Sequence, residues 1–116
     1  MTDARWFAEI EMVEQNNLPF LPFETQSGMV GFAGQLVGQR SRRLYQVVIK
    51  VPANRYPAEE PKTYIEPRPE SLHWIPLSIP FEQRHLCYNR DSQWNGAKNS
   101  FANCILIVLR YLNDFD

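Results

Sequence analysis

Residues 45–61 read YQVVIKVPANRYPAEEP. The first half alternates: Tyr45, Val47, Ile49 and Val51 fall on one face of an extended chain, because successive strand side chains point to opposite sides. The second half is punctuated by Pro52, Pro57 and Pro61. Proline fixes φ and cannot donate to a sheet ladder, so the strand must stop and a turn must follow. Beyond the turn, KTYIE (62–66) reads as a further short strand.

Upstream, residues 29–37, MVGFAGQLV, put Val30, Phe32 and Leu36 on one side of another strand. Gly31, Gly34 and Gly38 mark bulges or close backbone approach. The basic run RSRR (40–43) lies between these two strands. It reads as a solvated hairpin turn, and the short connection predicts antiparallel pairing. The residues around Phe23 offer one more strand. Residues 3–15, DARWFAEIEMVEQ, place Trp6, Ile10 and Val13 on a helical stripe with Phe7 beside it. Thr2 caps that helix, Asp3 lies in its first turn, and Asn16-Asn17 ends it.

Downstream, Pro67, Pro69, Pro76 and Pro80 break all periodicity from Pro67 to Arg84. A stretch this long without regular structure in a compact domain points to a functional loop. Residues 99–113, NSFANCILIVLRYLN, predict a C-terminal helix with Phe101, Cys104, Ile105, Val108, Leu109 and Leu112 on one stripe. Leu106 and Ile107 widen it, which predicts burial on most sides. The expected fold is α+β: an N-terminal helix, an antiparallel meander sheet of three to four strands, a long Pro-rich active-site loop, and a C-terminal helix packed on the sheet.

The 116 residues fit one domain, 1–116, with one core. Hydrophobic residues at 44% and charged residues at 22% match ordinary globular proteins and argue against disorder. A net charge of −1 provides no field to draw in nucleic acid. The acidic, non-apolar N-terminus is unlike a signal peptide, and CILIVL is too short to span a bilayer. Two cysteines are too few for a disulfide scaffold, so a reducing cytoplasm and free thiols are expected.

Cys104 lies on the apolar stripe of the last helix and reads as a core thiol. Cys87, in RHLCYNRDSQWN (84–95), follows the long loop and precedes polar turn residues. It is either a partly buried thiol beside a surface loop or a nucleophile. An ordinary thiol, with a pKa of about 8.5, is only slightly ionised at neutral pH; Arg84, His85 or Arg90 nearby would raise the thiolate fraction. His85 is too close in sequence to be a good base for Cys87, and His73 would need the loop to fold back. His73, His85 and Cys87 lack zinc-site spacing, and no glycine loop cradles a phosphate. No metal or cofactor is expected.

The strand running into Tyr56-Pro57-x-x-x-Pro61, with Tyr45 at its start, resembles the ubiquitin-conjugating enzyme fold. The same turn occurs in RWD domains, binding modules of that fold without a catalytic cysteine. Leu86-Cys87 after a long loop, then Trp94, then a helix, is similar to the order of features around the conjugating-enzyme cysteine. Among these enzymes the chain looks most like the short bacterial conjugating-enzyme-like proteins of type II CBASS anti-phage operons.

That resemblance implies a cysteine-dependent acyl transferase. Cys87 would take a protein C-terminus as a thioester, that of a cGAS/DncV-like nucleotidyltransferase, with an activating enzyme as a further expected partner. His73 and His85 would orient the loop or lower the thiol pKa, and Trp94 would pack the loop on the sheet. The family's His-Pro-Asn is altered, because Trp74 and Ile75 follow His73. An oxyanion donor is worth about 3–4 kcal/mol, so Asn89 or backbone amides must replace that asparagine, or transfer to lysine is weak. The alternatives are a non-catalytic binding module of the same fold and a cysteine hydrolase.

Overall fold

A computed structural model describes residues 1–67, 85–86 and 94–115. The chain opens with α1 (Asp3–Gln15), where the Thr2 hydroxyl accepts the Arg5 amide at 3.1 Å. Asp3 in the first turn complements the helix dipole. The helix ends as Asn16-Asn17 predicts. Asn17 takes φ 53°, the left-handed conformation that asparagine tolerates better than most residues. The amides of Asn17 and Leu18 then reach back to the carbonyls of Glu14 (3.0 Å) and Val13 (3.1 Å), closing a Schellman motif.

Four strands follow: β1 (Phe20–Glu24), β2 (Met29–Val37), β3 (Leu44–Pro52) and β4 (Lys62–Glu66). Each pairs antiparallel with the next, as a meander. A two-residue strand, β5 (His85–Leu86), adds to the edge beside β4, so the sheet has one strand more than the expected three to four. It lies just past the Pro67–Arg84 stretch, and two residues are too few to carry a periodic signal. The RSRR segment lies in the exposed β2–β3 connection. The predicted Pro-rich loop beyond Pro67 lies outside the described residues.

Register explains the core. Val30, Phe32 and Leu36 of β2 stand opposite Val51, Ile49 and Tyr45 of β3, and Ile65 of β4 stands opposite Val47. All of them are buried. The ladder runs through Gly31 and Gly34 without a bulge. Close approach is the reason for both: a Cβ at Gly31 would fall on the Ile49 carbonyl, and one at Gly34 on the Pro19 carbonyl and the Phe20 ring.

The last element is α2 (Phe101–Phe115). Its N-cap is Ser100, whose amide donates to Asn103 Oδ1 at 2.7 Å, with Asn103 in the place that glutamate or glutamine takes in a capping box. Phe101, Cys104, Ile105, Val108 and Leu112 are buried in the same cluster as the strands, as their spacing predicts. Leu106 does not follow the expectation of burial on most sides: it is 48% exposed, while Cys104, Ile105 and Val108 beside it are buried. On α1, Trp6 and Val13 are buried, but Phe7 is 68% exposed. Trp6, Phe32 and Phe101 form a ring triad with centroid separations of 5.2–6.0 Å, which joins both helices to the sheet. The result is a two-layer α+β fold.

Candidate functional site

The turn after β3 holds the motif tyrosine. Tyr56 is buried, its ring 4.8 Å from that of Phe101. Its hydroxyl donates to Glu9 Oε1, a carboxylate that is itself buried. The same carboxylate accepts the Phe101 amide, at 3.2 Å on Oε1 and 3.4 Å on Oε2. Glu9 therefore satisfies one of the orphan donors at the start of α2 and places negative charge at the positive end of its dipole. Arg5, one turn earlier on α1, pairs with Glu9 at 3.5 Å.

The Arg5 guanidinium continues outward. Nη1 donates to the Gly96 carbonyl at 2.8 Å, and Nη2 to the Asn99 carbonyl at 2.8 Å and to the Tyr56 hydroxyl at 3.3 Å. It also lies 5.3 Å from the Tyr56 ring centre. Residues 95–99 form a turn closed on itself. Asn95 accepts the amides of Lys98 (3.0 Å) and Asn99 (2.7 Å) on its carbonyl, and the amide of Ala97 (2.9 Å) on its side chain. The Gly96 and Asn99 carbonyls of this turn are what Arg5 grips. Gly96 lies against the motif turn so closely that a Cβ would meet the Pro57 carbonyl.

That carbonyl also accepts the Trp94 indole N–H at 2.7 Å. The Trp94 and Tyr56 rings are 6.2 Å apart. Trp94 thus packs on the Tyr56-Pro57 turn. On the other side, β5 pairs Leu86 with Thr63 and His85 with Tyr64. The seven residues 87–93, between Leu86 and Trp94, lie outside the described residues, so Cys87 and Asn89 are not placed, and neither is His73. Cys104 is buried in α2, as its position on the stripe predicts.

Arg5, Glu9 and Gly96 were not among the residues singled out by sequence. A signal for Glu9 was present: it stands three residues after Trp6 and four before Val13, on the buried stripe itself. Among the described residues no three His, Cys, Asp or Glu side chains gather as a metal site would require, and no helix is long and apolar enough to cross a membrane.

Burial pushes the Tyr56 hydroxyl far above the ordinary tyrosine range. Its hydrogen bond to Glu9 and the Glu9 charge push the same way, and the Arg5 guanidinium pulls against them. Below about pH 10 the hydroxyl keeps its proton in both folded and unfolded chains. Above that, the unfolded chain releases the proton first, so stability falls as pH rises further. Tyr56→Phe is expected to lower stability by about 2 kcal/mol at pH 7, the worth of a hydrogen bond to a charged acceptor. It is also expected to make the decline above pH 10 shallower, read by urea unfolding at a series of alkaline pH values.

No protein-family profile, curated protein or solved structure matches this chain.

Proposed function

We propose that the chain is a cysteine acyl carrier of the ubiquitin-conjugating type, with Cys87 as the nucleophile. One observation supports this most: the two motifs that carry the resemblance, separated by 37 positions, meet in space through the hydrogen bond from Trp94 to Pro57. The Tyr-Pro-x-x-x-Pro turn is thus the seat of the tryptophan that follows the cysteine. Both flanks of residues 87–93 are held by the sheet side of the molecule, Leu86 on β4 and Trp94 on the turn before it.

In this reading the Cys87 thiolate attacks an activated C-terminal carbonyl delivered by an activating enzyme as an acyl adenylate or a thioester. A sulfur–carbon bond forms, and the adenylate or donor thiolate departs with the bonding electrons. An amine then attacks the thioester. A nitrogen–carbon bond forms, Cys87 leaves as thiolate, and the amine proton passes to solvent or a nearby base. The acyl donor proposed is the C-terminus of a cGAS/DncV-like nucleotidyltransferase, and the setting is bacterial anti-phage defence. The resemblance alone supports that donor.

The test is discharge. Once loaded, the chain is mixed with free lysine, and the products are read by mass spectrometry. Transfer of the acyl group to the lysine amine supports the carrier. Release to water alone, at a rate indifferent to lysine, identifies a hydrolase, and failure to load at all identifies a binding module. Cys104→Ala is expected to load and discharge like the parent, because its thiol is 1% exposed in the core.

A further inference from the structure

We infer that Arg5 is a positioning residue for the Trp94 end of the segment that carries Cys87. The inference rests on the reading of Cys87 as the acyl-carrying thiol. It arises from a different part of the chain: a side chain on the first helix determines where the chain returns from that segment.

Three observations converge on it. First, one guanidinium donates to two backbone carbonyls of the same short turn, Gly96 and Asn99, both at 2.8 Å. Two bonds from one planar fork fix an orientation as well as a distance. Second, Arg5 is held from behind by the buried Glu9 carboxylate and lies over the Tyr56 ring, with its side chain only 26% exposed. It is therefore itself pinned, and it is not one of the freely moving surface arginines whose contacts contribute little. Third, the turn it grips is pressed against Pro57 at Gly96, next to the point where Trp94 donates to the same carbonyl. Pro57 blocks the turn on one side and Arg5 holds it on the other. The position of Trp94 follows from both.

Arg5 is remote in sequence from everything it grips, 91 positions from Gly96 and 94 from Asn99. A lysine at this position carries the same charge but no planar fork, so it would hold one carbonyl and release the other. The arrangement needs the shape of arginine, not only its charge.

The experiment reads the indole N–H of Trp94 by two-dimensional nitrogen–proton NMR on the full chain, assigned with Trp94→Phe. The spectrum is recorded far below the melting temperature, so that lower stability alone moves no native resonance. In Arg5→Ala the Trp94 indole resonance is expected to shift towards that of an unbonded indole, while the amides of β2 and β3 stay in place. Arg5→Lys is expected to fall between the parent and Arg5→Ala, and it carries the same test if Arg5→Ala does not fold. An unmoved Trp94 resonance in both variants overturns the inference. So does a shift that spreads equally through β2 and β3, which would mark general loosening. The readout needs no acyl donor, so it separates failure of this inference from failure of the carrier reading. Where a donor loads Cys87, loading in Arg5→Ala is expected to slow about tenfold at saturating donor, within the range that small misplacements of a reacting group produce.

Discussion

Glu9→Ala is expected to lower the unfolding free energy by about 3 kcal/mol. The substitution leaves three groups behind. The Tyr56 hydroxyl and the Phe101 amide lose their acceptor in a dry environment, and Arg5 loses its counter-ion. A buried donor without a partner costs about 1–3 kcal/mol, and breaking a buried ion pair about 3–5 kcal/mol. Arg5 is partly exposed, so its lost counter-ion costs far less than the buried-pair figure, and the two orphaned donors carry most of the about 3 kcal/mol. Glu9→Gln keeps an acceptor for Tyr56 but sets an amide N–H₂ among other donors, so it should lose less. Urea unfolding checks both: the midpoint should fall in the order parent, Gln, Ala, with the slope unchanged. A Glu9→Ala midpoint equal to the parent's would mean that the network is a surface ornament.

Phe32→Ala is expected to lose about 4 kcal/mol. Phe32 is fully buried, and its ring packs against those of both Trp6 and Phe101. Truncation removes the transfer free energy of the ring and opens a cavity where both helices meet the sheet; a buried phenylalanine cut to alanine loses about 3–5 kcal/mol. For a domain of this size each kcal/mol lowers Tm by about 4 °C, so calorimetry should record a drop of about 16 °C. The control is Leu21→Ala on the opposite face of the sheet. Leu21 is 76% exposed, and its truncation should stay within about 0.5 kcal/mol.

The contrast between those two positions explains why so much of the fold was readable. Alternation in 45–51 and in 29–37 names the buried face of β2 and β3 residue by residue, since a slip of one position would turn every side chain to the wrong side. Thr2 and Asn16-Asn17 bound α1 because the backbone groups at a helix end need partners of those types. Leu106 shows that apolarity is not burial: a helix lying on one face of a sheet leaves part of a wide apolar stripe in water. β5 was invisible for the opposite reason. Two residues have no period, and their pairing with Thr63 and Tyr64 is wholly non-local.

The site was legible in its landmarks and not in its connections. The Tyr56-Pro57 turn and Trp94 could each be singled out by type and spacing. That one donates to the other depends on the fold bringing positions 57 and 94 together. Glu9 was concealed by its chemistry: a carboxylate on an apolar stripe reads as a solvated residue until a tyrosine, an arginine and a helix N-terminus are found around it. Arg5 was harder still, because its partners are backbone carbonyls, which leave no trace in side-chain patterns.

The carrier reading is tested most directly by the intact mass of the protein isolated with its partners under non-reducing conditions. Expected are an adduct on the parent chain that disappears with thiol reductant, a reductant-stable ester on Cys87→Ser, and no adduct on Cys87→Ala. An adduct that persists on Cys87→Ala, or none on the parent in the presence of a partner with an exposed C-terminus, would contradict it.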